Sequence, residues 1–191
     1  SREKPMKIRK VLPSDAARLL EIYKPYVEQT SITFEYELPE LEEFEERIRD
    51  ISARYPYLVL EEEKIWGYAY AHKAQERAAY GWNAELSIYL DSSIRGRGMG
   101  RRLYHALIEI LKLQKVQNLY ALITHPNERS EALHEKMGFV YCGCYPKTGF
   151  KGGKWHDVRL DARSIGAHEC PPSPFLPIDQ IPEKLIDDIL N

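Results

Sequence analysis

Three alternate glycines interleaved with arginines, Arg95-Gly96-Arg97-Gly98-Met99-Gly100, carry the clearest chemistry in this chain. They follow an alternating apolar run, Ala84 to Leu90, and open into a helical pattern from Arg101 onward. A strand, a glycine turn and a helix in that order aim free backbone N–H groups and the positive helix end at a phosphate. Spacing excludes two familiar phosphate motifs. A P-loop needs a Lys-Ser/Thr pair, and none follows the glycines; a dinucleotide fingerprint needs glycine where Arg101 stands, near the start of a βαβ unit. What remains is an Arg-x-x-Gly-x-Gly pattern formed by Arg95, Gly98 and Gly100. Just upstream lies Glu85. In an extended strand Glu85, Ser87 and Tyr89 point to one face, and Ala84, Leu86, Ile88 and Leu90 to the other. A carboxylate there, next to a phosphate turn, is placed to take a proton from a nucleophile. A solvated or salt-bridged glutamate is the other reading of the same residue.

The elements that must position these groups follow from hydrophobic spacing. Lys7 to Val11 reads as a strand. Ser14 or Asp15 caps a helix with Ala16, Leu19, Leu20 and Tyr23 on one face. A linker from Thr30 to Glu37 carries Phe34, and a second helix after Pro39 aligns Leu41, Phe44, Ile48 and Ile51. Tyr57 to Glu61 and Ile65 to Ala71 form a hairpin through Glu62-Glu63-Lys64. Beyond the glycine turn, Leu103, Leu107, Ile110 and Leu111 make the apolar face of a helix. Leu119 to Thr124 is a strand, and Asn127 to Met137 a helix closed by Gly138. Phe139 to Tyr145 and Val158 to Leu160 complete the sheet. The order βααβββαβαββ describes one α/β domain over residues 6–161. Pro171, Pro172, Pro174 and Pro177 then mark an extended tail over 162–191, with a short helix carrying Leu185, Ile186 and Ile189. That tail is expected to pack on the body or on a partner subunit.

Composition narrows the function classes. The 191 residues are 43% hydrophobic, enough for one full core, and the net charge of −2 gives no global basic field for nucleic acid. Cys142, Cys144 and Cys170 are an odd set with no zinc spacing, so reduced thiols in a cytoplasmic protein and no metal are expected. No apolar run reaches the length of a membrane span.

Three blocks in order resemble the GNAT acyltransferases, and within them the phosphinothricin acetyltransferase-like branch. The first is the glycine turn. The second is Asn127-Glu-Arg-Ser130-Glu-Ala-Leu133-His134-Glu-Lys-Met-Gly138-Phe139, and the third Gly149-Phe-Lys151-Gly-Gly-Lys-Trp155-His156-Asp157-Val158. Thr33-Phe34-Glu35, Arg54-Tyr55-Pro56 and Tyr80-Gly-Trp-Asn-Ala-Glu85 also fit that branch. The resemblance implies a central mixed, mostly antiparallel twisted sheet flanked by helices. It also implies transfer of acetyl from acetyl-CoA to the primary amine of a small amino acid or analogue such as phosphinothricin, methionine sulfone or methionine sulfoximine. Homodimers are common in the branch, so a homodimer is expected, with no nucleic-acid or membrane partner.

Carried over residue by residue, the resemblance makes Glu85 the base. Ile88, Tyr89 and Leu90 offer backbone groups to the pantetheine arm, and Arg95, Gly96, Arg97, Gly98, Met99, Gly100 and Arg101 surround the pyrophosphate. Asn127 and Ser130 join the cofactor site, with an N-cap role for Asn127 compatible; Lys136 meets a CoA phosphate or is solvated. His134 stands where many superfamily members place a tyrosine that protonates the departing thiolate, so it is either that acid or a structural histidine. Phe34, Glu35, Ala78, Ala79, Tyr80 and a loop from Lys147 to His156 are placed at the acceptor, where Lys151 or Arg77 could meet a carboxylate. Trp155 is expected as a core anchor with His156 beside it.

Overall fold

The computed structural model describes residues 5–94 and 96–191. The chain starts with strand β1 (Lys7–Lys10), a one-turn 3-10 helix, and helices α1 (Ala16–Gln29) and α2 (Leu41–Ser52). Strands β2 (Tyr57–Glu62), β3 (Lys64–Lys73) and β4 (Asn83–Leu90) form a meander. Helix α3 (Met99–Leu113), strand β5 (Asn118–His125), helix α4 (Glu128–Lys136), and strands β6 (Val140–Lys151) and β7 (Lys154–Ser164) follow. A last helix, α5 (Glu183–Leu190), ends the chain. The seven strands make one sheet in the order β1-β2-β3-β4-β5-β7-β6. Every pairing is antiparallel except β4 with β5, so the architecture is the mixed, mostly antiparallel α/β sheet expected.

Each face of the sheet has its own core. Leu58, Leu60, Ala69, Ala84 and Leu86 pack against Leu103, Leu107, Ile110 and Leu111 of α3. On the other face Tyr57, Val59 and Tyr68 pack against Leu19, Ile22 and Val27 of α1 and Ile48 of α2. Strand alternation therefore sends Glu85, Ser87 and Tyr89 to the α1–α2 side, with Tyr70 and His72 of β3 beside them in register.

The parallel pair is the feature that makes a site. β4 and β5 are in register only from Asn83–Asn118 to Glu85–Tyr120 and then part. Beyond Glu85 the side of β4 facing β5 has no strand in register with it, and a slot opens through the sheet.

Four details differ from the sequence reading. Helix α3 begins at Met99 rather than Arg101, because Gly98 itself takes the left-handed conformation that starts it. The stretch Lys147 to His156 is a strand hairpin and not a loop: Gly152 and Gly153 have φ of 62° and 79°, the two left-handed positions that turn a tight hairpin. Trp155 is 60% exposed and His156 only 8%, because alternation along β7 turns the tryptophan outward. β7 also runs on to Ser164, past the expected boundary at 161.

The proline-rich segment makes backbone bonds to the body. The Leu176 and Gln114 backbones are bonded (N to O, 2.9 Å), the Ile178 N–H donates to Arg54 O, and Ile186 of α5 is fully buried against the α3 side of the core.

Candidate active site

The glycine turn has the geometry that its residue types require. Gly96 and Gly98 have φ of 74° and 68°, where L side chains are strained, and among the described residues a Cβ on either would meet nothing within 4 Å. The turn is thus an open backbone surface at the start of α3, a fifteen-residue helix whose first N–H groups have no acceptor within the helix. Such an uncluttered cradle fits a pyrophosphate. Met99 and Gly100 are buried, and a Cβ at Gly100 would lie 3.2 Å from Leu133, so that glycine serves close packing of α3 on α4. Arg101 is exposed, while Arg97 pairs with Glu62 at 2.9 Å. Arg95 lies outside the described residues.

Between β4 and β5 the slot has about 70 Å³ of free space, lined by Ser87, Ile88, Tyr89, Tyr104, Asn127 and His134 among others. Ser130 lines it too, whereas the Leu90 carbonyl is taken by the Tyr26 hydroxyl at 2.6 Å. Asn127 caps α4: its Oδ1 accepts the Ser130 N–H at 3.3 Å, and the Glu131 carboxylate accepts the Asn127 N–H at 3.0 Å. Lys136 is exposed in the last turn of α4, at the opposite end from that cap.

His134 is 2% exposed and held at both ring nitrogens. Nδ1 lies 2.7 Å from the Ser130 carbonyl, which can only accept, so Nδ1 carries the hydrogen. Nε2 then has the lone pair and accepts from the Tyr104 hydroxyl at 3.0 Å. Burial lowers the pKa of His134, with the Ser130 carbonyl opposing, and favours the neutral ring. Burial likewise pushes the Tyr104 phenol far up, so it stays protonated. Neutral His134 in this tautomer has no free proton of its own; the hydroxyl on the slot wall belongs to Tyr104. That residue escaped the sequence reading, which took only Leu103, Leu107, Ile110 and Leu111 from this helix.

Glu85 stands where the two strands part, on the other face of the sheet from α3. Its Oε2 is 2.6 Å from Nε2 of His72, directly across the β3–β4 ladder. Sequence could not pair them, since the connection from Lys73 to Asn83 hides the register.

The residues expected at the acceptor come together only in part. Phe34 lies against the backbone of Gly149, where a Cβ would come within 2.2 Å of its ring, and its ring centroid is 6.1 Å from that of His156. The α1–α2 linker is thereby seated on the β6–β7 hairpin. Glu35 is otherwise engaged: Arg47 clamps both its oxygens at 2.6 and 3.0 Å, and Tyr23 donates at 2.7 Å. Burial pushes its pKa up, but Arg47 and Tyr23 outweigh that and hold the carboxylate below its ordinary range. Ala78, Ala79 and Tyr80 form an exposed 3-10 turn between β3 and β4, at the end of the sheet where Glu85 and His72 lie. Lys151 donates to Thr33 O at 2.8 Å, and burial lowers its pKa. Among the described residues no group of three or more His, Cys, Asp or Glu could hold a metal.

An open glycine cradle leads into a split between parallel strands, with a carboxylate at the fork. Residues 8–160 match the family model for the acetyltransferase (GNAT) domain. The chain belongs to the GNAT acetyltransferases. A phosphinothricin N-acetyltransferase of Streptomyces viridochromogenes is 32% identical over 179 residues, 93% of this acetyltransferase and 97% of that protein. A GNAT superfamily phosphinothricin acetyltransferase from Sinorhizobium meliloti, solved in complex with AcCoA, superposes with a TM-score of 0.83 at 32% identity, covering 90% and 94% of the two chains. The solved ribosomal-protein-alanine N-acetyltransferase from Brucella melitensis gives 0.77 at 36% identity, over 83% and 99%.

Proposed function

We propose that this acetyltransferase moves the acetyl group of acetyl-CoA to the primary amine of a small amino acid or analogue, of the phosphinothricin type. The observation that carries the reading is the slot between β4 and β5, with Glu85 on one side of the sheet and the Tyr104–His134 pair on the other. The glycine turn from Gly96 to Gly100 and the start of α3 hold the pyrophosphate, and Ile88 and Tyr89 offer backbone groups to the pantetheine arm. Bound there, acetyl-CoA supplies an activated thioester carbonyl. An ammonium has no lone pair to attack with, so Glu85 takes one proton from it, directly or through water. The freed nitrogen forms its bond to the acetyl carbon as the carbon–sulfur bond breaks. The sulfur takes the hydrogen of the Tyr104 hydroxyl, which the nitrogen's second proton restores, so the amide, free CoA and the one proton taken by Glu85 leave. Phe34, Ala78, Ala79 and Tyr80 border the acceptor. Arg77, exposed just before that turn, meets the acceptor carboxylate, because Lys151 is already bound to Thr33.

A second reading takes a protein N-terminus as acceptor. It is favoured by the Brucella likeness and by Tyr80, which is 46% exposed and leaves the acceptor side open. We further infer a cytoplasmic homodimer. Cys142, Cys144 and Cys170 are free and exposed, which suits a reducing compartment. Val140, Tyr141 and Tyr145, all more than half exposed, line the edge strand β6, a surface that a second copy would cover. Among the described residues no helix is long and apolar enough to cross a membrane.

The test is CoA release from acetyl-CoA against phosphinothricin, methionine sulfone, methionine sulfoximine, common amino acids and short peptides, with Glu85→Gln alongside. Turnover on small amino acids that Glu85→Gln abolishes, or moves to higher pH, supports substrate class and base together. Turnover on peptides alone selects the second reading.

A further inference from the structure

His72 has no part in the chemistry described so far, yet it is the side chain in contact with the proposed base. It sits on β3 in direct antiparallel register with Glu85 on β4, so both side chains leave the same face of adjacent strands. Nε2 lies 2.6 Å from Glu85 Oε2, and Nδ1 lies 3.1 Å from the carbonyl of Lys73. Contacts at both nitrogens fix the plane of the ring, and neither residue is fully exposed. The neighbouring charges are committed elsewhere: Lys73 pairs with Glu76 at 3.7 Å. Tyr70, next on the same face, is partly buried and hydrogen-bonded to Ser87.

We propose that His72 is a positioning residue for Glu85, an inference that rests on Glu85 being the base. With a hydrogen on each ring nitrogen, as its two acceptors require, it donates from Nδ1 to the Lys73 carbonyl and from Nε2 to Oε2, fixing the carboxylate plane at the fork of the two strands and leaving Oε1 to take the amine's proton. His72 keeps its own hydrogen throughout: the proton leaves the ammonium nitrogen for Oε1 and returns from there to solvent. A carboxylate that rotates freely meets the amine in many geometries, and one held at Oε2 meets it in few. An ordinary cross-strand pair would instead contribute a little stability and nothing to rate.

The experiment is a double-mutant cycle on the full chain, with initial rates read as acetylated product by mass spectrometry. Each variant's melting temperature is recorded beside its rates. His72→Ala is expected to lower kcat about tenfold, the worth of one hydrogen bond to a charged group, with KM for acetyl-CoA unchanged. His72→Gln, whose side-chain amide can still donate to the carboxylate, recovers most of that rate. In a Glu85→Gln background His72→Ala has no further effect, since there is no base left to hold. Equal losses from His72→Ala in both backgrounds, or full activity of His72→Ala alone, overturn the proposal while leaving Glu85 as base. A fully active Glu85→Gln removes the base reading, and this proposal with it. Should His72→Ala fold poorly, His72→Gln against His72→Leu in the same cycle decides between the same outcomes.

Discussion

The glycine turn gives the sharpest quantitative test. Replacing Gly98 by alanine puts a side chain at φ of 68°, and the left-handed conformation costs an L residue about 1–2 kcal/mol. Since the new Cβ meets no atom of the described residues within 4 Å, backbone strain is the intramolecular cost they impose. In a chain of this size about 1 kcal/mol corresponds to a fall of about 2–4 °C in Tm. If the backbone must also approach a pyrophosphate, the methyl group displaces it from one N–H donor, worth about 1.5–3 kcal/mol to a charged acceptor. KM for acetyl-CoA should then rise about 10- to 100-fold, with KM for the amine unchanged. Gly98→Asn separates the two effects, because asparagine tolerates the left-handed region. It should recover Tm and leave KM for acetyl-CoA high. Steady-state kinetics and thermal melts on the two variants are sufficient. An unchanged KM for acetyl-CoA in both would refute the close approach, and a KM that recovers together with Tm would reduce the glycine to conformational relief.

Two further outcomes follow from the same geometry. Gly149→Ala drives a methyl group into the Phe34 ring, so the linker must shift; KM for the amine should rise while KM for acetyl-CoA stays put, and equal changes in both would refute that separation. His134 is buried with its pKa held below the ordinary value, so below about pH 6.5 the unfolded chain binds a proton that the folded one resists. Stability from this residue is present above that pH and lost as pH falls toward the folded value, by up to about 1.4 kcal/mol per pH unit. Tm measured from pH 8 to 5 should therefore fall more in the parent than in His134→Gln, and parallel curves would exclude the effect.

The donor side was largely legible in the sequence, because backbone geometry there demands residue types. Left-handed turns ask for Gly96 and Gly98, an N-cap for Asn127, and period-two alternation puts Glu85 opposite Leu86. The acceptor side was much less so. Gly149, Gly152 and Gly153 looked like a loop, but one makes room for Phe34 and two turn a hairpin. Glu35 looked available until Arg47, on the next helix, closed on it. Nor does spacing reveal that His72 faces Glu85 or that Tyr104 reaches His134, since both contacts depend on how separate elements register in three dimensions.

The walls proposed for the acceptor side come from three places in the chain: the linker bearing Phe34, the turn at Ala78 to Tyr80, and the hairpin of β6 and β7. The phosphate turn between β4 and α3 belongs to none of them. Substitutions can therefore accumulate in those three segments and redirect the enzyme to a new amine without weakening its hold on the acetyl donor. A scaffold divided in this way separates the segments proposed to choose the acceptor from the turn proposed to hold the donor.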